Sequence, residues 1–378
     1  MSKEFKCSAP WEGMFINPDG DFRVCCAGKS LGNLNQNTAE EIIYGDTLNK
    51  VRNDILTCGS SEYCANCIES EEKSGRSMRE QFNTTLEGVD TTKFTPKYID
   101  IRWKNTCQLR CGYCNSEWSS TYAKWEGKTE RVSAIDWQRD VLDFLARDPG
   151  SIQVVNLLGG EPLLLKDNVE MMNYVDPSAI VGIVTNLASE NVQNLPVYKT
   201  LVSRRANWLV SLEATGNKFE YIRRNAKWLV VKDNYEKLTP NGSKGCHMTY
   251  CITSAFSLVD VFDWLYKVNP NPDENTTFIS VLLGPQQFSI YSFPPEIKLL
   301  AIDELDKLMQ KHESFLNQAT KDFIVATKQS LNDQLNDWDI EHVTRYMEYV
   351  RQSDIEMAPI SFEQEWPEVY SILKRYTA

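Results

Sequence analysis

Between residues 98 and 283 six short apolar runs alternate with helical stretches, and this alternation limits the possible folds of the 378-residue chain more than any other feature. The runs read as strands: YIDIRW (98–103), IQVVNLL (152–158), IVGIVT (180–185), NWLVSLE (207–213), HMTYCIT (247–253) and TFISVLL (277–283). One intervening helix opens with Ser133 and Asp136, another with Ser257 and Asp260, both in the S-x-x-D capping arrangement. Strands that alternate with helices imply parallel βα units. The expected class is therefore α/β, with a partial (β/α)6 barrel over 96–293. The remainder, 294–378, reads as a helical C-terminal extension with Trp338, Trp366 and Tyr370 as packing anchors.

Residues 1–95 differ in composition. They are rich in cysteine and in turn sequences such as NPDGD (17–21) and GNLNQN (32–37), and read as a small Cys-rich N-terminal domain. Ile42, Ile43, Leu48, Val51 and Ile55 suit one face of a helix over Thr38–Ile55. GVDTTKFTP (88–96) reads as a linker.

Eleven cysteines are present, nine of them before residue 115. No run of about 18 apolar residues suggests a membrane span. The start, MSKEFKCSAPW, lacks the apolar core of a secretion signal. A cytoplasmic protein is expected, where disulfides are rare. Clustered thiols there point to metal or iron–sulfur ligation. The net charge of −12, with scattered Lys and Arg, argues against a grip on duplex nucleic acid.

In parallel α/β barrels the chemistry gathers at the C-terminal ends of the strands. After the first strand comes TCQLRCGYCN (106–115), after the second GGEP (159–162), and after the third Asn186; the fourth carries Ser211 and Glu213. Three cysteines leave one iron of a four-iron cluster without a protein ligand. An open position of that kind is what a metal site needs to admit a reactant. Zinc would call for a fourth Cys or His nearby, and the three histidines are the distant His247, His312 and His342.

CQLRCGYC resembles the C-x3-C-x2-C signature of the radical S-adenosylmethionine (SAM) enzymes, including the aromatic Tyr113 before the last cysteine, and GGEP resembles their second motif. The resemblance covers about residues 98–290. It implies a [4Fe–4S] cluster on Cys107, Cys111 and Cys114, with SAM chelating the open iron. It implies reductive cleavage of SAM to a 5′-deoxyadenosyl radical that takes hydrogen from a substrate, and an electron donor such as flavodoxin or ferredoxin. Gly159, Gly160, Glu161 and Pro162 would meet SAM. Ser211 and Arg223 resemble the family's contacts to its ribose and carboxylate, and Asn186 and Glu213 stand nearby in the pattern. The residue types suit these roles: the glycines allow close backbone approach, Glu161 can accept from an ammonium group, and an arginine fork suits a carboxylate.

Cys7, Gly20, Cys25, Cys64 and Cys67 resemble the SPASM/twitch auxiliary-cluster pattern, which implies a second [4Fe–4S] cluster on those four cysteines. That domain normally follows the barrel; here it precedes it. The G-x4-C count favours Cys25 over its neighbour Cys26, and Cys58 is surplus. A zinc ribbon is the rival for this site. Tyr250 and Cys251, on or beside the fifth strand, are candidates to return a hydrogen atom to a substrate radical; packed core residues are the plainer reading, for them and for Cys246. Relatives with auxiliary domains often modify peptides or proteins, so a peptide substrate leads. A small molecule such as a sugar or nucleotide derivative is the second enzyme reading, and a non-catalytic cluster- or zinc-binding scaffold is the alternative from another class.

Overall fold

A computed structural model describes residues 7–68, 77–79, 82, 89–128, 137–269, 271, 276–282 and 284–377. The chain forms two compact units. The first comprises Met1–Cys107, Ser116–Ile183 and Gln193–Asn207; the second comprises Gln108–Asn115, Val184–Val192 and Trp208–Ala378.

In the first unit β1 (Gly13–Ile16) and β2 (Asp21–Arg23) form an antiparallel hairpin, and β3 (Gly32–Asn33) adds to it. Gly20 makes the turn with φ +80°, a conformation that glycine adopts without strain. The barrel strands β4 (Tyr98–Ile101), β6 (Val154–Leu157) and β7 (Ile180–Thr185) are parallel, with Tyr98 beside Val154 and Val154 beside Ile180. β1 joins them: it runs parallel to β4 with Gly13 beside Tyr98 and Ile16 beside Ile101. The Cys-rich segment thus extends the barrel strands' own sheet, which the sequence reading did not foresee. Every residue of β1 and β4 is buried, as expected of strands covered on both faces.

The helix expected over Thr38–Ile55 is two helices, Ala39–Tyr44 and Asp46–Cys58. Thr38 and Glu41 form a reciprocal capping box at the first. Gly45, with extended backbone, separates them. Ala39 N–H donates to Asp140 Oδ2 at 2.6 Å, which ties the first helix to Trp137–Leu145. The expected cap at Ser133 and Asp136 lies outside the described residues.

In the second unit β8 (Ala206–Ser211), β10 (Lys244–Tyr250) and β11 (Phe278–Val281) are again parallel. A separate two-residue ribbon pairs β5 (Arg110–Cys111) with β9 (Arg223–Arg224). All six expected barrel strands are present, three to a unit, but β10 starts three residues earlier than the apolar run and ends before Cys251. One face of β10 carries Cys246, Met248 and Tyr250, all fully buried. The other carries the half-buried His247 and Thr249. The Leu258–Val268 helix starts where expected, yet Ser257 does not cap it: its hydroxyl lies 3.4 Å from both Thr253 O and Trp366 Nε1.

The C-terminal region is helical: Pro295–His312, Gln318–Asp333, Ile340–Met357 and Pro367–Thr377. The expected anchors pack here. Trp366 stacks on Phe362 at 4.9 Å and meets Tyr221 edge-on at 5.6 Å, while Trp338 meets Tyr376 at 5.1 Å. Among the described residues no helix is long and apolar enough to cross a membrane. Trp366 is buried to 3% exposure. Trp366→Ala is expected to destabilise the second unit by about 3–5 kcal/mol, read as an earlier midpoint in urea unfolding followed by tryptophan fluorescence.

Candidate functional site

The N-terminal cysteines come together. Cys7, Cys25, Cys64 and Cys67 line one cavity, with Arg79 and Phe82 on its wall. Cys26 and Cys58 are exposed and do not line it. The hairpin explains the choice: β2 ends at Arg23, and the chain turns so that Cys25 faces inward while Cys26 faces out. Burial pushes the Cys7 thiol up to about 12, helped by the neighbouring Cys64 and Cys67, and pushes Cys64 up to about 11. Cys25 is pushed up by the same cause. Thiols at Cys7, Cys25 and Cys64 raised by burial and by neighbouring cysteines suit a site whose charge a bound metal balances. Among the described residues no three His, Cys, Asp or Glu side chains stand at the distances of a single metal ion. A four-iron cluster asks for a looser set, because each thiolate holds a different iron.

The second motif lies in the first unit beside the start of the three-cysteine stretch. Glu161 N–H donates to Thr106 O at 2.8 Å and Gly160 N–H to Lys104 O at 3.3 Å. A Cβ on Gly160 would fall 2.3 Å from Thr106 O, so only glycine fits. Gly159 takes φ +117°. The close approach these glycines allow is therefore to residues 104–106 of the chain itself, whereas the sequence reading assigned it to a ligand. Glu161 is buried, and its Oε1 accepts from Leu163 N–H at 3.1 Å, opening a short turn that begins at Pro162. Cys107 is tethered in turn: its N–H donates to Ser120 Oγ at 3.1 Å, and Thr121 Oγ1 donates to its carbonyl at 2.6 Å.

In the second unit Cys111 lies on the ribbon opposite Arg223. Arg223 donates from Nε to Glu213 Oε2 and from Nη2 to Glu213 Oε1, both at 2.6 Å. Its Nη2 also donates to Tyr113 Oη at 2.9 Å, and its Nη1 lies 3.6 Å from Cys111 Sγ. Tyr113 donates to Glu213 Oε1 at 2.8 Å. Burial opposes the Arg223 charge, and the Glu213 carboxylate more than restores it, so Arg223 stays a cation. Burial raises the Cys111 thiol and the Arg223 cation pulls it down. Burial pushes Cys114 up to about 12. Asn186 is buried, and its Oδ1 accepts from Gln108 Nε2 at 3.0 Å and from Ala188 N–H at 2.9 Å. Ser211 ends β8 beside His247 in register, half-buried. Burial lowers the pKa of His247, which lies 3.0 Å from Ser280 Oγ.

Arg223 and Glu213, both expected to meet SAM, are thus fully engaged with each other, and Tyr113 completes the set. Tyr250 and Cys251 are completely buried. The Tyr250 ring meets Phe323 edge-on at 5.4 Å, and Cys251 Sγ lies 3.2 Å from Thr253 Oγ1. The structure sets both, with Cys246, in the core. The sequence reading missed Tyr113 as a partner of Arg223, and it missed Arg110, Arg224 and Glu356, which meet around the cysteine ribbon. Nothing local in the sequence relates residues 110 and 356.

Parts of the chain resemble known proteins. Residues 7–68 match the SPASM iron–sulfur cluster-binding domain. Over 189 residues, 49% of the chain, it is 25% identical to the GTP 3′,8-cyclase of Listeria welshimeri serovar 6b, and 24% identical to that of Listeria monocytogenes. The match spans about half the length of these relatives, 54% of each. Partial likeness extends to Streptococcus suis SuiB bound to its precursor peptide SuiA (12% identity, 70% of this chain and 64% of that one, TM-score 0.39). It extends also to TYW1 with a lysine–pyruvate adduct (13% identity, 56% of this chain and 71% of that one, TM-score 0.33). Residues 7–68 thus carry a SPASM iron–sulfur domain ahead of the barrel strands, and about half of the chain is similar to the GTP 3′,8-cyclases, which are radical SAM enzymes.

Glu213→Gln is expected to leave the Arg223 cation buried without its counter-charge, at a cost of about 3–5 kcal/mol. The double variant Glu213→Gln, Arg223→Met should recover most of that loss, as read from urea unfolding of the two proteins side by side.

Proposed function

We propose that the chain cleaves SAM reductively and directs the resulting radical at a substrate hydrogen, with a peptide or protein as the leading substrate class. The observation that carries this reading is the C-x3-C-x2-C stretch together with GGEP, whose backbone is laced to residues 104–106 immediately before Cys107. Cys107, Cys111 and Cys114 would hold the SAM-binding cluster. Cys7, Cys25, Cys64 and Cys67 would hold the auxiliary one. When bound, the first cluster supplies the electron that breaks the C–S bond of SAM, and the 5′-deoxyadenosyl radical so formed takes the hydrogen atom.

The chain's own part is placement and charge. Gly159 and Gly160 fix the rim against the loop that opens the cysteine stretch. Arg223, neutralised by Glu213, presents a guanidinium edge to Cys111 and offsets part of the burial that raises its thiol. Asn186 and Ser211 offer polar atoms for SAM. With Arg223 committed to Glu213 and Tyr113, a carboxylate contact from it would share a fork already in use. The donor sets fit the groups assigned to them. A one-electron donor such as flavodoxin or ferredoxin is required, and eleven free cysteines suit a reducing compartment such as the cytoplasm.

A nucleotide substrate is the second reading, favoured by the similarity to the GTP 3′,8-cyclases. Anaerobic protein reconstituted with iron and sulfide is expected to hold about eight irons per chain, for two four-iron clusters. With dithionite and SAM it should release 5′-deoxyadenosine, seen by mass spectrometry. The Cys107→Ala, Cys111→Ala, Cys114→Ala variant should lose that product and about half the iron. The corresponding changes at Cys7, Cys25, Cys64 and Cys67 should lose the other half. Full iron without SAM cleavage would sink the enzyme reading and leave a cluster-binding scaffold. Faster SAM cleavage with added GTP, and none with peptides, would favour the nucleotide substrate.

A further inference from the structure

The ribbon that carries Cys111 has two sides. Residues that pair across an antiparallel ribbon share a face, and neighbours along a strand face opposite ways. Cys111 and Arg223 form one pair and face Glu213 and Tyr113. Arg110 and Arg224 form the other pair. Two like charges directly opposite one another destabilise a ribbon unless something neutralises them. The Ile340–Met357 helix does so: Glu356 Oε2 accepts from Arg110 Nη2 at 2.5 Å and from Arg224 Nη1 at 3.3 Å. Arg224, 4% exposed, also donates to Ser353 Oγ and lies over the Tyr349 ring at 4.8 Å. Tyr349 closes the contact at the next residue of the loop. A Cβ on Gly112 would fall 2.0 Å from its hydroxyl oxygen, so the helix touches the backbone between Cys111 and Cys114.

We infer that the Ile340–Met357 helix is a strap that fixes the cysteine loop from behind, and that Glu356 is the positioning residue through which it sets the reduction potential of the cluster held there. The inference rests on the proposed ligation by Cys107, Cys111 and Cys114. Its physical content is twofold. The helix limits how far residues 110–112 can open. The Glu356 carboxylate cancels part of the charge of two guanidiniums beside a redox centre whose potential follows its local electrostatics. Removing that carboxylate leaves more positive charge nearby, which favours the reduced cluster.

The test uses Glu356→Gln, with Glu348→Gln as a control that removes the same charge from an exposed position on the same helix. Two measurements are made. In iron-free protein, deuterium uptake of the 108–115 peptide should be roughly tenfold faster in Glu356→Gln than in wild type or Glu348→Gln. That is the size expected when a charge-assisted hydrogen bond is lost from a local opening equilibrium. In reconstituted protein, a redox titration followed by electron paramagnetic resonance should show a more positive midpoint for Glu356→Gln. The signal to follow is the one absent from the Cys107→Ala, Cys111→Ala, Cys114→Ala variant. Adding Arg110→Gln to Glu356→Gln should bring the midpoint back toward wild type, a recovery that mere loosening of the loop would not give. Unchanged uptake overturns the strap even if no cluster binds. A bound cluster with an unchanged midpoint overturns the electrostatic role and leaves the cluster assignment standing. A wild-type protein that binds no cluster at these cysteines overturns the assignment itself.

Discussion

A buried guanidinium can persist only where a carboxylate meets it, and the second unit is arranged around one such encounter. Arg223 and Glu213 make a two-pronged ion pair with side chains 7% and 0% exposed. Glu213 stands two residues past the end of β8, and Arg223 pairs with Cys111 across the ribbon. The ion pair therefore links the end of a barrel strand to the cysteine loop. Its geometry leaves one guanidinium edge for Tyr113 and for the Cys111 sulfur. Buried pairs of this kind add little net stability over an apolar substitute. Their value lies in fixing position, and here the thing fixed is the Cys111 sulfur, for which cluster ligation is proposed.

The two cysteine sites solve the problem of charge differently. In the N-terminal cavity burial and neighbouring cysteines raise the thiols of Cys7, Cys25 and Cys64, with Arg79 as the nearby cation that eases Cys7. Around Cys111 burial also raises the thiol, but a permanent cation opposes it and is itself balanced by Glu213. A fixed, preorganised field suits a centre whose charge changes during a reaction, the role proposed for the three-cysteine loop.

Much of this was legible from the sequence because it is written in short spacings. C-x3-C-x2-C, GGEP and the six apolar runs each need fewer than ten consecutive residues to be read. The choice of Cys25 over Cys26 followed from a count to Gly20, and the structure places Cys25 in the cavity and Cys26 outside it. What escaped were long-range partners: Tyr113 with Glu213, Asn186 with Gln108, and Glu356 with Arg110. Such pairs leave no periodic trace. The break at Gly45 escaped because the hydrophobic stripe continues in phase across it, and periodicity reads stripes rather than backbone angles. Gly160 was read correctly as a point of close approach, but a glycine does not announce what approaches it; here it is Thr106 O.

The iron–sulfur segment joins the barrel strands' sheet through one strand register. Two parallel strands cannot be joined by a tight turn and need a crossover of a dozen residues or more. Between β1 and β4 the chain supplies one of far greater length, residues 17–97, and it contains three of the four cavity cysteines. The fourth, Cys7, precedes β1 by six positions. Among the described residues of this crossover, Cys25, Cys64 and Cys67 line the same cavity as Cys7. Its ends are brought side by side by the pairing of Gly13 with Tyr98. The shared backbone ladder holds the base of this segment, and the hydrogen bond from Ala39 to Asp140 ties its first helix to the Trp137–Leu145 helix beside those strands.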